Sequence, residues 1–205
     1  MRRRFTPLQF LVHLAGWLPL IVLLLDLWRD TLTANPIQAI EQRTGYTALV
    51  FLTLSLACTP LAWWGWKELL QRRKALGLYG FLYAALHVTV FIAVDYGLDL
   101  NALIRDVGTK QYILVGAAAF LLLVPLAVTS FEYWMKRLGK NWKRLHRLVY
   151  LIVPLIVLHF FWARKGNLWT LSGDVAQPLT FAILVGVLLL LRLGAVKKVL
   201  SRLRR

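Results

Sequence analysis

Six long stretches almost free of charge, separated by short segments that carry the Lys and Arg residues, constrain this chain more than any other feature. They run approximately over residues 8–28, 45–66, 75–97, 112–131, 142–163 and 178–195. A helix needs about 20 mainly apolar residues to cross the hydrocarbon of a bilayer, and only a helix or a closed barrel satisfies its own backbone there. The runs are continuous instead of alternating, which fits helices and not the period-two strands of a barrel. The sequence therefore predicts an all-α fold, a six-helix transmembrane bundle forming a single domain over residues 1–205. Composition agrees: 59% of the residues are hydrophobic and 17% charged, against about half and a quarter in soluble domains. Disordered, collagen-like and coiled-coil chains are excluded, and the lone Cys58, inside an apolar run, excludes a disulfide scaffold. The first run follows Met1-Arg2-Arg3-Arg4 as a secretory signal would, but it is too long and lacks a small-x-small cleavage site, so it reads as a retained anchor. Neither internal repeats nor low-complexity segments are evident.

Orientation follows from the positive charges, because Lys and Arg accumulate in short cytoplasmic connections. Nineteen of the 25 fall at the N-terminus, in the Lys67–Lys74 loop, between Lys136 and Arg147, and from Arg192 onward. Seven of the nine acids, Asp26, Asp30, Glu41, Asp95, Asp99, Asp106 and Asp174, fall on the other side. Both termini are thus expected to be cytoplasmic. The net charge of +16 belongs to this asymmetry and not to nucleic-acid binding, since the basic residues punctuate long uncharged stretches.

Ionisable groups inside a bilayer are candidate functional residues, and the chain has four histidines: His13, His87, His146 and His159. A single buried histidine is often an interhelical hydrogen-bonding residue; three on two spans invite another reading. In the predicted topology the third and fifth spans run parallel, so His87 and His159 lie at similar depth in the outer half, while His146 lies near the inner end. Thirteen residues separate His146 from His159, roughly 20 Å along a helix. No Cys-x-x-Cys or His-Glu-x-x-His spacing points to zinc. Two imidazoles from separate helices suit the axial positions of haem iron, and without Cys-x-x-Cys-His the haem is non-covalent, of the b type. On a straight helix, 13 steps leave His146 and His159 about 140° apart; Pro154 lies between them and can change the register.

Arg73, 14 residues before His87, falls on nearly the same helix face at about the depth of His146. It is either one more positive-inside charge or a group facing a second, inner haem, as propionate partner or axial ligand. His13 reads as a packing or quinone-pocket residue. Arg164 and Lys165 flank the outer site and serve either as propionate partners or as interfacial anchors. Tryptophans near span ends, as in Trp63-Trp64-x-Trp66, Trp162 and Trp169, form an aromatic belt.

Several stretches together resemble the haem-binding membrane subunit of the bacterial periplasmic protein-methionine-sulfoxide reductase system, within the ferric reductase-like transmembrane superfamily. They are His13-Leu14-Ala15-Gly16 with Leu18-Pro19; Asn35-Pro36 leading to Thr44-Gly45 and Thr47-Ala48-Leu49; Thr59-Pro60-Leu61; Arg73-x-x-Leu76-Gly77-Leu78 leading to Leu86-His87; and Leu138-Gly139-Lys140-x-Trp142-x-x-Leu145-His146-x-x-Val149-Tyr150 with His159-x-x-Trp162. The resemblance implies that His87, His146 and His159 carry haem b, in one or two copies. It implies electrons drawn from the quinone pool, or from a separate flavin reductase. They pass across the bacterial inner membrane to a periplasmic molybdopterin-containing catalytic subunit that reduces methionine sulfoxide in oxidised proteins. The family is also associated with FMN, for which no pocket is visible. Related ferric reductases and oxidases look like two-haem proteins with histidine pairs on two helices; here Arg73 or Asn101 stands where a second histidine of the third span would fall. No Gly-x-Gly-x-x-Gly follows a strand, so electrons are expected from a separate donor. Two other readings are a stand-alone ferric reductase-like electron carrier and a proton-coupled transporter with histidine relays, though the transporter reading lacks an inverted repeat.

Overall fold

The computed structural model describes residues 6–164 and 174–193. Arg2, Arg3, Arg4, Lys165, Trp169 and the basic tail after residue 193 lie outside the described residues. Helices α1 (Pro7–Trp28), α2 (Pro36–Trp63) and α3 (Leu69–Val90) come first, and α3 ends in a widened π turn, Phe91–Asp95. A short α4 (Leu100–Thr109) leads into α5 (Gln111–Val128). Two further short helices, α6 (Glu132–Leu138) and α7 (Lys140–Leu145), and a 3-10 turn, His146–Leu148, precede α8 (Val149–Ala163) and α9 (Ala176–Leu191). Among the described residues there is no strand.

Local chemistry sets the helix starts. Thr6 and Asn35 accept hydrogen bonds from the backbone N–H of Gln9 (3.2 Å) and Gln38 (3.1 Å), and Pro7 and Pro36 occupy first-turn positions where a missing N–H costs nothing. Asp99 caps α4 through the N–H groups of Asn101 and Ala102, both at 3.0 Å. Five segments are long and apolar enough to cross a membrane: 7–28, 36–63, 69–95, 111–128 and 140–163. The sixth apolar helix, α9, has 16 residues, which span about 24 Å. The third segment starts at Leu69, earlier than the hydropathy run at 75, because Leu69 and Leu70 precede the basic cluster and the helix continues through it. Helix α4 was not foreseen; it is too short and too polar to register as a span.

Contacts give the direction of each helix. Thr6 meets Arg72, His13 meets Tyr79 and Gly16 meets Tyr83, so α1 and α3 are parallel. Ser55 meets Arg73 while the Glu41 carbonyl meets His87, so α2 is antiparallel to α3. Thr129 meets His146 and the Tyr112 carbonyl meets His159, so α5 is antiparallel to α8. Tyr46 packs on Phe160 and Phe181, and Arg192 reaches Leu56, which places α9 antiparallel to α8. The six apolar helices thus alternate in direction, with Arg72, Arg73 and Lys74 at one end, here the basic end, and Asp26, Glu41, Asp95 and Asp174 at the other, the acidic end.

Helix α2 is the centre, buried over half of its most apolar stretch. One of its faces packs Ala48, Phe51 and Cys58 against Tyr79 and Tyr83 of α3; another packs Leu49 and Leu56 against Val153, Val157 and Val185. In lipid such contacts act through close packing and hydrogen bonding, since the hydrophobic effect does not distinguish a neighbouring helix from an acyl chain. Two side chains repair helix irregularities. Pro60 has no N–H to offer the carbonyl of Leu56, and the Arg192 guanidinium donates to that carbonyl instead, with a second bond to the Tyr150 hydroxyl at 3.2 Å. Next to Pro19, the Tyr83 hydroxyl accepts from the Leu20 N–H (3.0 Å) and donates to the Gly16 carbonyl (2.7 Å), bridging the two ends of one helical rung.

Candidate haem-binding site

His87 on α3 and His159 on α8 come together toward the acidic end, with ring centroids 6.1 Å apart and planes at 72°. Each ring is held by its Nδ1. That of His87 lies 3.0 Å from the Glu41 carbonyl of α2, and that of His159 lies 2.8 Å from the Tyr112 carbonyl of α5. A carbonyl only accepts, so each Nδ1 carries the proton and donates it. The neutral ring then keeps its lone pair on Nε2, which has no hydrogen-bond partner among the described residues. A carbonyl that fixes the tautomer and orientation of an imidazole is the usual support of a metal-binding histidine.

Two glycines make room for these rings. A Cβ on Gly116 of α5 would sit 2.7 Å from His159 Nδ1, and one on Gly45 of α2 would sit 3.2 Å from His87 Nδ1. The Nδ1 edges are therefore seated in notches of α2 and α5, and the Nε2 edges are turned away from those helices. The fixed tautomers and the close approach of the two rings suit His87 and His159 as the residues that would hold a haem iron through Nε2.

His146 stands at the basic end, at the start of the 3-10 turn. Its Nε2 lies 3.1 Å from the Thr129 hydroxyl, which itself donates to the Pro125 carbonyl at 2.6 Å, so the histidine is the donor in this pair. The ring lies 4.2 Å from that of Trp142, whose Nε1 donates to the Thr129 carbonyl at 2.8 Å. Both His146 and His159 face α5. The 3-10 turn turns about 120° per residue, and three such steps reduce the 140° offset of an ideal helix to about 80°. The register change thus includes a wound turn at His146 itself, N-terminal to Pro154.

Arg73 stands at the basic end of α3, the end that also holds His146, and its carbonyl accepts from the Ser55 hydroxyl at 3.0 Å. No acid pairs with its guanidinium among the described residues. Arg164 caps the acidic end of α8, paired with Asp174 at 2.7 Å and resting 5.5 Å from the centroid of Phe160. Asn101 is an exposed residue of α4 and does not belong to α3. His13 bonds the Tyr79 hydroxyl at 2.9 Å, far from the histidine pair. Sequence reasoning gave no role to Gly45, Gly116, Thr129 or Trp142, nor to the carbonyls of Glu41 and Tyr112. A glycine at the depth of a histidine on a neighbouring span is a readable signal; a backbone carbonyl is not.

Comparison with known proteins identifies the family. Residues 44–157 match the family described as ferric reductase like transmembrane component, a stretch that contains His87 and His146 and stops two residues short of His159. Curated relatives carry the description protein-methionine-sulfoxide reductase heme-binding subunit MsrQ. The one from Herminiimonas arsenicoxydans is 42% identical over 193 residues, covering 92% of this chain and 85% of its own. That from Xanthomonas euvesicatoria is 40% identical, covering 87% and 82%, and that from Rhodospirillum rubrum is 45% identical, covering 79% and 76%. The chain belongs to the MsrQ family of haem-binding subunits, within the ferric reductase-like transmembrane proteins.

Proposed function

We propose that this chain is a six-span b-type cytochrome of the bacterial inner membrane, a single membrane domain with both termini cytoplasmic. In this reading it takes electrons from the quinone pool, or from a separate flavin reductase, and passes them to a periplasmic molybdopterin-containing subunit that reduces methionine sulfoxide in oxidised proteins. The observation that carries it is the His87 and His159 pair, with ring centroids 6.1 Å apart, each ring proton-fixed by a carbonyl and each Nε2 lone pair left available to a metal.

Haem b held by these residues supplies a carrier that takes up and releases one electron at a time. The chain's own part is to hold two neutral imidazoles in place, so that ligation costs no tautomer change, and to surround them with apolar helix faces that keep water out. Arg164, next to the outer site, is the residue we assign to a propionate, shared with Asp174. His146 and Arg73 at the basic end are the residues we assign to a second, inner haem, the station closer to the donor. FMN is carried over from the family without residues. A partner docking at the acidic end completes the path.

Haem quantitation and reduced-minus-oxidised spectra of the purified chain, with His87→Ala and His159→Ala, test the reading. Loss of one full haem in each variant, with loss of reduction of the periplasmic partner, is the expected result; full haem content in either overturns it. The family description favours one further reading, a stand-alone ferric reductase. Reduction of iron chelates by the purified chain with no partner present, at the rate of partner reduction, would establish it.

A further inference from the structure

Between the basic-end halves of α1 and α3 lies a groove of about 1030 Å³ that the haem reading does not use. Its polar wall carries Gln9, His13, Arg72 and Lys74, and its floor is Leu78, Tyr79 and Leu82. Among the described residues the Arg72 guanidinium bonds only neutral oxygens, the Thr6 hydroxyl at 3.2 Å and the Gln71 side-chain carbonyl at 3.5 Å. Among the described residues no acid pairs with Arg72 or Lys74, although Glu68 stands one turn before Arg72. The Lys74 ammonium leans on the Phe131 ring, 5.5 Å from its centroid. The groove thus concentrates positive charge with no internal counter-ion, at a membrane edge.

The same groove is continuous with apolar surface. Phe10, Leu14 and Trp17 of α1 are 59%, 48% and 50% exposed, on a helix whose apolar window is mostly unburied by the rest of the chain. A ligand that fits has an anionic head for Arg72 and hydrocarbon for this helix face. Basic pockets between spans on the positively charged side are suited to anionic lipid headgroups. Arginine holds a phosphate by two parallel N–H donors, which a lysine cannot do.

We propose that this groove binds the phosphate headgroup of an anionic phospholipid, with Arg72 as its forked anchor, Lys74 as a second charge, and the acyl chains lying along α1. The pair formed by His13 and Tyr79 at 2.9 Å ties the polar wall to the floor below the headgroup. The site stands apart from the histidine pair, so the proposal is independent of the haem assignments.

The test is native mass spectrometry of the full-length purified chain, reconstituted from vesicles of phosphatidylcholine alone or of phosphatidylcholine mixed with phosphatidylglycerol. The expected result is one tightly retained phosphatidylglycerol per chain, with retention lowered about tenfold in Arg72→Gln, to a lesser extent in Arg72→Lys, and unchanged in Lys143→Gln, an exposed basic residue outside the groove. Equal retention of the two lipids, or equal loss in Lys143→Gln, overturns the proposal. Displacement of the lipid by millimolar inorganic phosphate as readily as by short-chain phosphatidylglycerol also overturns it, and assigns the groove to a free phosphate. If Arg72→Gln does not fold, as judged by its helical circular dichroism, the wild-type lipid and phosphate competition alone decides.

Discussion

The two ends of the bundle hold their histidines by different means. At the acidic end, His87 and His159 are fixed by backbone carbonyls of α2 and α5 and seated against glycines, which leaves Nε2 free on both rings. At the basic end, His146 is fixed by a side chain, and the Nε2 that would face a metal is the atom that bonds Thr129. A carbonyl of a packed helix cannot rotate away, whereas a hydroxyl can exchange its partner for little cost. The acidic-end site is therefore preorganised, and the basic-end site must give up a hydrogen bond before it can ligate through Nε2.

The largest effect separating them is expected from the histidines proposed as ligands. His87→Ala and His159→Ala each abolish haem at the acidic end, while His146→Ala leaves that haem in place; haem-to-protein ratio on the purified chain measures this. Equal losses in all three variants would merge the two sites into one. Next comes Gly116→Ala, whose methyl meets His159 Nδ1 at 2.7 Å. Helix α5 or the ring must shift, at about 1–3 kcal/mol as for other overpacked positions. Thermal unfolding followed at the haem absorption band should show it, together with a shifted band position. Gly45→Ala, at 3.2 Å, should show the same changes to a smaller degree, and an inverted order would contradict the notches as described. Thr129→Val removes the partner of His146 Nε2, at about 1 kcal/mol for one neutral hydrogen bond. The acidic-end spectrum should stay unchanged, and any inner haem should bind more tightly, read by titration of haem into the apoprotein.

The smallest effect is expected at the exposed corner between α4 and α5. There Lys110 donates to Asp106 at 2.5 Å, as does the Tyr96 hydroxyl. These hydrogen bonds, that of Lys110 first, hold the Asp106 carboxyl below its usual range, and the bond to Asp106 raises Lys110 above its own. The carboxylate's contribution is present above about pH 4 and lost as pH falls through its lowered value; the ammonium's is present below about pH 10 and lost as pH rises through its raised value. Hydrogen exchange over residues 96–112 should be slowest between those limits. Asp106→Asn should remove much of the pH dependence, and salt should weaken it in the wild type.

Much of this arrangement was legible in the residues. Apolar runs gave the helices, because in lipid the length of a span is set by the bilayer and not by partners. The parallel course of the third and fifth runs placed His87 beside His159. What stayed hidden depends on contacts between distant segments. The 3-10 turn at His146 and the π turn after Val90 leave no compositional mark. The carbonyls that orient the imidazoles belong to Glu41 and Tyr112, whose side chains say nothing about their backbone. Helix α4 was missed for a different reason: ten residues with Arg105, Asp106 and an aspartate cap look like a loop to any search for spans.

The bond from Arg192 to the carbonyl left bare by Pro60 has a bearing on how the protein is made. Its two ends are 136 residues apart, and ribosomes add about 5–20 residues per second. For roughly 7 to 27 s after its emergence, the central helix therefore waits in the translocon or the lipid with one acceptor open, and its final form is reached only when the last helix is delivered.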